Sequence, residues 1–360
     1  MHRPARSFWE PGFPVSAAHS PPSVFNPSDP EEVLAELLLE AEEAREDAAR
    51  FFEFVMREET RGELVKVAAH QALALEFIEA HRNCVVMLPV NHGKTWTAAG
   101  FLLRCLGRDS LLRGSVVSAA ETQAQKPLLL VRQYVEASPE LKFVFPRLRR
   151  SHRTGEPWTT TELTVDRLLG IRDPSLVARG ADSKSIPGSR WGLCLVDDLS
   201  NAENTNTPEQ RDKMYRFMTG LLKSRMDPLT GRVVVTCVAW HRDDTTHRLM
   251  APKSEGGAGW PGMIMRASGI IQFRNCPGFD SALIRPDDDL PSDNPEATYR
   301  LVAHDHLPVE ERTLWPERWP KAALDAERED MHPVQYAQNY ENVCRDDSTA
   351  LCKQAYIDRP

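Results

Sequence analysis

Apolar positions along the chain alternate between a helical and a strand repeat, and the changes of period mark its elements. From Pro30, PEEVLAELLLEAEEAREDAARFFEFVMREE carries Val33, Leu37, Phe51 and Phe54 on a helical repeat, with acids in the first turn and Asp29 ahead of it as N-cap. This predicts one long acidic helix or two shorter ones. A helix follows from His70 to about His81, and then CVVML at 84–88 is a continuous apolar run, as expected of a strand buried on both faces. The helix in TWTAAGFLLRCLG is expected to stop at Gly107 as its C′ residue, and GSVVSAA supplies a second buried strand before a helix over about Thr122 to Ala137. WTTTELTV alternates Thr with Leu or Val and predicts a hairpin. WGLCLVDD and RVVVTCVAWH are two more buried strands, with the helix of PEQRDKMYRFMTGLLKS between them. Strands alternating with helices predict an α/β fold with a mostly parallel, doubly wound sheet. Closely spaced prolines predict a flexible arm over residues 1–30. After about Gly269 the Pro- and Asp-rich text through RPDDDLPSDNP reads as a surface connector, followed by a helical attachment in KAALDAEREDMHPVQYAQNY.

Composition narrows the function classes. With 360 residues, 41% hydrophobic and 27% charged, the chain has ample material for a core without disulfide or metal clips, which excludes disorder as the dominant state. No run approaches the roughly 18 apolar residues of a membrane span and MHRPARSFWEPGFP lacks an apolar signal region, so a soluble intracellular protein with no membrane association is expected. Seven scattered cysteines, an odd number, fit reduced thiols. A net charge of −8 excludes a protein that coats nucleic acid over its whole surface, so any DNA contact must be focal.

The candidate chemistry begins at LPVNHGKT, directly after the first buried strand. A phosphate-binding loop uses a glycine for close backbone approach, a lysine for phosphate charge and a hydroxyl on Mg²⁺, and Gly93, Lys94 and Thr95 supply all three, although Leu88 stands where the first glycine of the pattern belongs. A nucleotide hydrolase of this kind also needs one carboxylate for Mg²⁺ and a second to align the attacking water. Asp197 and Asp198 end the strand LCLVDD and fill those roles, Asp198 being one methylene shorter than the usual glutamate. Taken alone, such a pair of acids also reads as a helix cap or a solvated turn. Thr236 interrupts the next apolar run and is either a polar sensor of the γ-phosphate or an ordinary β-former. A metal site at His241, Asp243, Asp244 and His247 is conceivable, but the spacing favours a solvated loop or helix start, and the same holds for His304 and His306. The basic run KFVFPRLRRSHR offers Lys142, Arg147, Arg149, Arg150 and Arg153 as a grip on a phosphate backbone, with an exposed mixed-charge turn as the alternative; Arg179 and Lys184 offer a similar grip.

Four stretches in order, PVNHGKT, SIPGSRWGLCLVDDL, SRMDPLTGRVVVTCVAWHRDDTTHRLM and TLWPERWPKAALDAERE with YAQNYEN, resemble the large terminase subunits, the DNA-packaging motors of tailed phages, over roughly residues 71–342. The resemblance implies a P-loop ATPase core of the ASCE type over 31–270. It adds a connector and small helical lid over 271–347 and, at 348–360, the start of a linker to a nuclease domain that is missing here, so nuclease activity is not expected. It implies ATP and Mg²⁺ as cofactors, with Thr95 and Asp197 on the metal and Pro89, Asn91, His92, Gly93 and Lys94 around the phosphates. Gln71 matches the family's adenine-reading glutamine, and Arg190 falls where some members carry an arginine that acts on a neighbouring subunit; pairing with a local acid or stacking on Trp191 is its alternative. Asn91 and His92 depart from the basic residue that family loops often carry before the Gly-Lys pair. The implied partners are double-stranded DNA, the portal protein and the small terminase subunit. The implied assembly is a homo-oligomeric ring on the procapsid, with a monomer in isolation as the alternative, in the host cytoplasm. A non-catalytic nucleotide-binding assembly protein is the competing reading, favoured by Leu88 and by Asp198 in place of glutamate. A two-lobed helicase would need a second nucleotide-facing domain after residue 240, where the connector lies instead.

Overall fold

The computed structural model describes residues 30–57, 62–168, 170–287 and 297–344. The expected N-cap Asp29, the arm and the stretch from 348 onward lie outside them. The acidic segment forms two helices, α1 (Pro30–Glu46) and α2 (Ala48–Val55), because Asp47 between them is extended and its carboxylate accepts from the backbone N–H of Arg50. Then come α3 (Ala69–Ala80), β1 (Asn83–Met87), α4 (Lys94–Arg108), β2 (Gly114–Ser118), α5 (Glu121–Ala137) and α6 (Pro139–Val144). The middle of the chain adds β3 (Glu162–Leu163), β4 (Leu176–Gly180), β5 (Leu193–Asp197), α7 (Pro208–Arg216), β6 (Arg232–Cys237) and α8 (Thr245–Met250). Last come β7 (Gly262–Met265), β8 (Ile271–Arg274), β9 (Ile284–Pro286), β10 (Thr298–Leu301), α9 (Lys321–Asp330) and α10 (Pro333–Asn339).

The described strands make one sheet in the order β3-β4-β2-β5-β6-β1-β7-β8-β10-β9. From β4 to β7 every neighbouring pair is parallel, and the outer pairs at both ends are antiparallel. Side-chain alternation sends Cys84 and Val86 of β1 to a core shared with α2, α3, α4 and α5, and Val85 and Met87 to a core shared with α7 and α8. The sheet is thus covered on both faces, which is why its central strands read as unbroken apolar runs. No helix among the described residues is long and apolar enough to cross a membrane.

Several expectations are corrected. Gly107 does not end α4: it lies inside the helix with Phe145 packed where a Cβ would stand, 2.1 Å away, so its role is close packing. The segment read as a connector carries β8, β9 and β10, which extend the sheet of the preceding region, so these three strands belong to it structurally. Within the acidic run, Asp287 is buried and paired with Arg300 at 2.9 Å rather than part of a free surface stretch, while Asp288 and Asp289 lie outside the described residues. The hairpin over WTTTELTV is small: Trp158 bridges Leu163, and β3 then pairs antiparallel with β4. Strand β4 itself, LVARG, carries a charge in mid-run and was not expected. That charge is Arg179, buried and ion-paired to Glu162, which removes it as a phosphate grip.

Candidate active site

Strand register assembles the site. Asp197, the last residue of β5, lies opposite Thr236 of β6, and Thr236 lies opposite Val86 of β1, so the three strand tips are level where β1 runs into the glycine-lysine loop. Thr236 Oγ1 donates to Asp197 Oδ1 at 2.8 Å, and Thr95 Oγ1 stands 3.4 Å from Asp197 Oδ2. Lys94 Nζ donates to Asp198 Oδ1 at 2.8 Å. Burial raises the Asp197 carboxyl to about 6, with the neighbouring Asp198 charge adding to the rise and Lys94, Thr236 and Thr95 opposing it. Asp198 adopts a left-handed backbone, φ 48°, which turns its side chain off the strand line toward Lys94.

The loop residues divide by which way they face. Gly93 has φ 81°, and a Cβ on it would stand 2.3 Å from Gln71 Nε2, so glycine is needed both for the turn and for Gln71 to close behind it. Gln71 is buried there, with its Oε1 accepting from the backbone N–H of Ala68 at 3.1 Å. Pro89 is buried and Asn91 is exposed, with φ 60°. The His92 ring is buried and stacked on Trp319, with centroids 5.9 Å apart, and Nδ1 donates to the Val90 carbonyl. Burial lowers its pKa to about 4 and that of the adjoining His70 to about 3, the latter helped by His92. The helical attachment holds the same loop, since the Val90 N–H donates to the Asn339 carbonyl at 2.9 Å and Trp319 Nε1 donates to the Asn91 carbonyl at 3.4 Å.

Arg190 lies elsewhere. It precedes β5 and lines a cleft of about 630 Å³ with Arg82, Arg113, Lys223 and Asp227, at the end of the parallel strands opposite the loop. A five-residue strand, about 16 Å, separates the two ends. Its Nη1 donates to the Ser189 carbonyl, and no ion pair of Arg190 occurs among the described residues. Arg82 is held over the backbone carbonyls of Gly231 and Pro228 at 2.7 and 3.0 Å. Burial lowers the Lys223 pKa, and the nearby Arg82 and Lys253 charges lower it further. Arg82, Arg113 and Lys223 are the residues that sequence reasoning missed. The signal was present for the first two and for Arg190, since each stands directly before a strand or its leading residues, but only the sheet brings them together.

The basic run gathers less. Arg149 pairs with Asp166 at 2.7 Å, Arg150 lies over the Trp158 ring, and Arg153 donates to the Arg167 carbonyl, while Lys142 and Arg147 are exposed. Lys184 is exposed. Around His241 the acids have other partners: Asp243 takes Arg248 and Arg211, and Asp244 caps α8. His304 is buried, and the exposed His306 turns its Nδ1 to the Ala303 carbonyl. No group of three or more His, Cys, Asp or Glu side chains placed to hold a metal ion occurs among the described residues.

No protein-family model matches the chain, and no curated protein does. Among solved structures, it is similar to the ATPase domain of the Thermus phage P74-26 large terminase. A mutant form of that domain gives 15% identity over 82% of this chain and 98% of the other, with a TM-score of 0.47; a second structure gives 15% over 81% and 96%, with 0.45. It is also similar to the HK97 bacteriophage large terminase, at 15% identity over 66% of this chain and 45% of that one, with a TM-score of 0.44.

Proposed function

We propose that this chain is an ATP-hydrolysing motor of viral DNA packaging that moves double-stranded DNA into a procapsid. The observation that carries the hydrolytic part is the meeting of Lys94, Thr95, Asp197, Asp198 and Thr236 at one edge of three adjacent parallel strands. The residues fit a magnesium nucleotide. The 15-residue helix α4 begins at Lys94 and aims its first-turn N–H groups out of its N-terminus, and the hydroxyl of Thr95 with the carboxylate of Asp197 is a hard oxygen donor pair. When bound, ATP supplies the anhydride bond to be cleaved, and Mg²⁺ neutralises charge on its phosphates.

Lys94 is the cation for those phosphates, and it is held by Asp198 in this state. Nucleotide binding therefore draws Lys94 away and releases Asp198, which becomes free to accept a proton-bearing water and orient it. Thr236 fixes the Asp197 carboxylate and links the site to β6. Arg190 cannot serve its own nucleotide from the far end of the sheet, so its catalytic role belongs to a second copy of the chain in a ring, with the cations of its cleft supporting an anionic partner. The role in packaging, with portal protein and small terminase subunit as partners, is supported by the ordered motifs that resemble large terminase subunits. ATP turnover by the full chain, with and without linear double-stranded DNA, tests the proposal. Turnover that rises with DNA is expected. Tight nucleotide binding without turnover under either condition would favour the assembly-protein reading instead.

A further inference from the structure

Outside the nucleotide site, three side chains from two distant parts of the chain meet. Cys344 Sγ lies 3.1 Å from His247 Nε2 and 3.8 Å from Nδ1, so the sulfur stands against the ring rather than in line with its nitrogens, and His247 Nδ1 lies 2.9 Å from Asp244 Oδ1. The carboxylate accepts, so Nδ1 carries a hydrogen toward Asp244. Asp244 is fully buried and rigidly set: Oδ1 also accepts from the His247 N–H, and Oδ2 accepts from the N–H groups of Trp240 and His241 at 3.1 and 3.2 Å. A carboxylate so occupied has little left for a cation, which argues for orientation of the imidazole and against a metal site.

We propose that Cys344, His247 and Asp244 form a nucleophilic thiol site that reacts with hydroperoxides and with soft alkylating electrophiles. The thiol gives its proton to solvent, and the thiolate is held by the charge of the adjacent imidazolium, which Asp244 keeps in place. The sulfur attacks the terminal peroxide oxygen, an S–O bond forms as the O–O bond breaks, and the departing hydroxide or alkoxide takes a proton from solvent and leaves as water or alcohol. Sulfur is oxidised by two electrons to the sulfenic acid, and the peroxide is reduced. Although burial disfavours a charge on His247, the Asp244 carboxylate and the contact with Cys344 raise its pKa to about 10, in keeping with a stable imidazolium. The other charges nearby are engaged: Asp243 with Arg248 and Arg211, and Asp212 of α7 with Arg248. The contrast with the remaining described cysteines is chemical. Burial pushes Cys84 and Cys194 up to about 12 and Cys105 to about 11, and it also raises Cys237 and Cys276; Cys344 is the one partly exposed thiol that meets an imidazole.

The test is iodoacetamide alkylation of the full chain between pH 5.5 and 8.5, read by peptide mass spectrometry with Cys276 as internal reference, and repeated with hydrogen peroxide followed by a sulfenic-acid trap. Cys344 is expected to react at pH 6 at least about tenfold faster than Cys276, with a rate nearly flat from pH 6 to 8, and to be the first cysteine trapped as sulfenic acid. His247→Gln should slow Cys344 at pH 6 by about tenfold and restore a steep rise with pH. An ordinary profile in the unmodified chain, rising about tenfold per pH unit up to pH 8, would overturn the proposal without reference to any variant. So would an unchanged Cys344 rate in a folded His247→Gln chain.

Discussion

At the scale of single residues, the two acids after β5 differ in what they touch, and their removal should differ in effect. Asp197 is fixed by Thr236 and stands beside Thr95, so Asp197→Asn should weaken Mg²⁺-dependent nucleotide binding as well as turnover. Asp198 instead occupies Lys94. Asp198→Asn should therefore bind nucleotide at least as tightly as the unaltered chain while losing about two to three orders of magnitude in turnover, which titration calorimetry and steady-state rates resolve together. Equal binding defects in the two variants would contradict this division of roles. His247 gives a pH prediction. Its folded pKa of about 10 lies above the ordinary 6.5, so the charged imidazole stabilises the fold fully below pH 6.5 and this contribution is lost as pH rises through 10. Urea midpoints measured from pH 6.5 to 10 should fall for the unaltered chain relative to His247→Gln, and parallel curves would show that the Asp244 contact contributes nothing.

At the scale of elements, the end of α10 and the residues after it tie the nucleotide loop to the sensor strand. Asn339 takes the Val90 N–H, and Asn342, buried with φ 49°, accepts from the Ala239 N–H at 3.1 Å and donates to the Met265 carbonyl at 2.7 Å. Asn342→Leu would leave both backbone groups unpaired and force a branched aliphatic residue into a left-handed conformation. A loss of about 2–4 kcal/mol in urea unfolding is expected, and a loss below about 0.5 kcal/mol would show that the segment is only loosely applied. The sequence made β1, β2, β5 and β6 legible because both faces of each are buried and the apolar runs are unbroken. It hid β4 because Arg179 breaks the run, its charge being answered by Glu162 from a neighbouring strand. It hid β8 to β10 because their strands are of mixed polarity and lie among prolines and acids. Lys94, Thr95, Asp197, Asp198 and Thr236 could be named in advance because each sits in or beside a strand tip with a local motif. The cleft around Arg190 could not, since its cations are joined only by the order of strands in the sheet.

At the scale of the whole molecule, the nucleotide loop and the Arg190 cleft occupy opposite ends of the same parallel strands, a placement that suits copies working on one another. Arg190→Ala and Lys94→Ala chains should each be inactive in an assembly, and an equimolar mixture should recover a measurable part of the turnover, because a mixed interface can combine an intact loop from one chain with Arg190 from the other. A mixture that assembles and stays inactive would remove the role in trans. Any such assembly depends first on the proposed hydrolysis of ATP at Lys94 and its neighbours. Its most direct test is Mg²⁺-dependent phosphate release by the purified chain and by Lys94→Ala at saturating ATP. Turnover is expected in the first and a loss of about two to three orders of magnitude in the second; comparable turnover in both would show that Lys94 is not the phosphate cation.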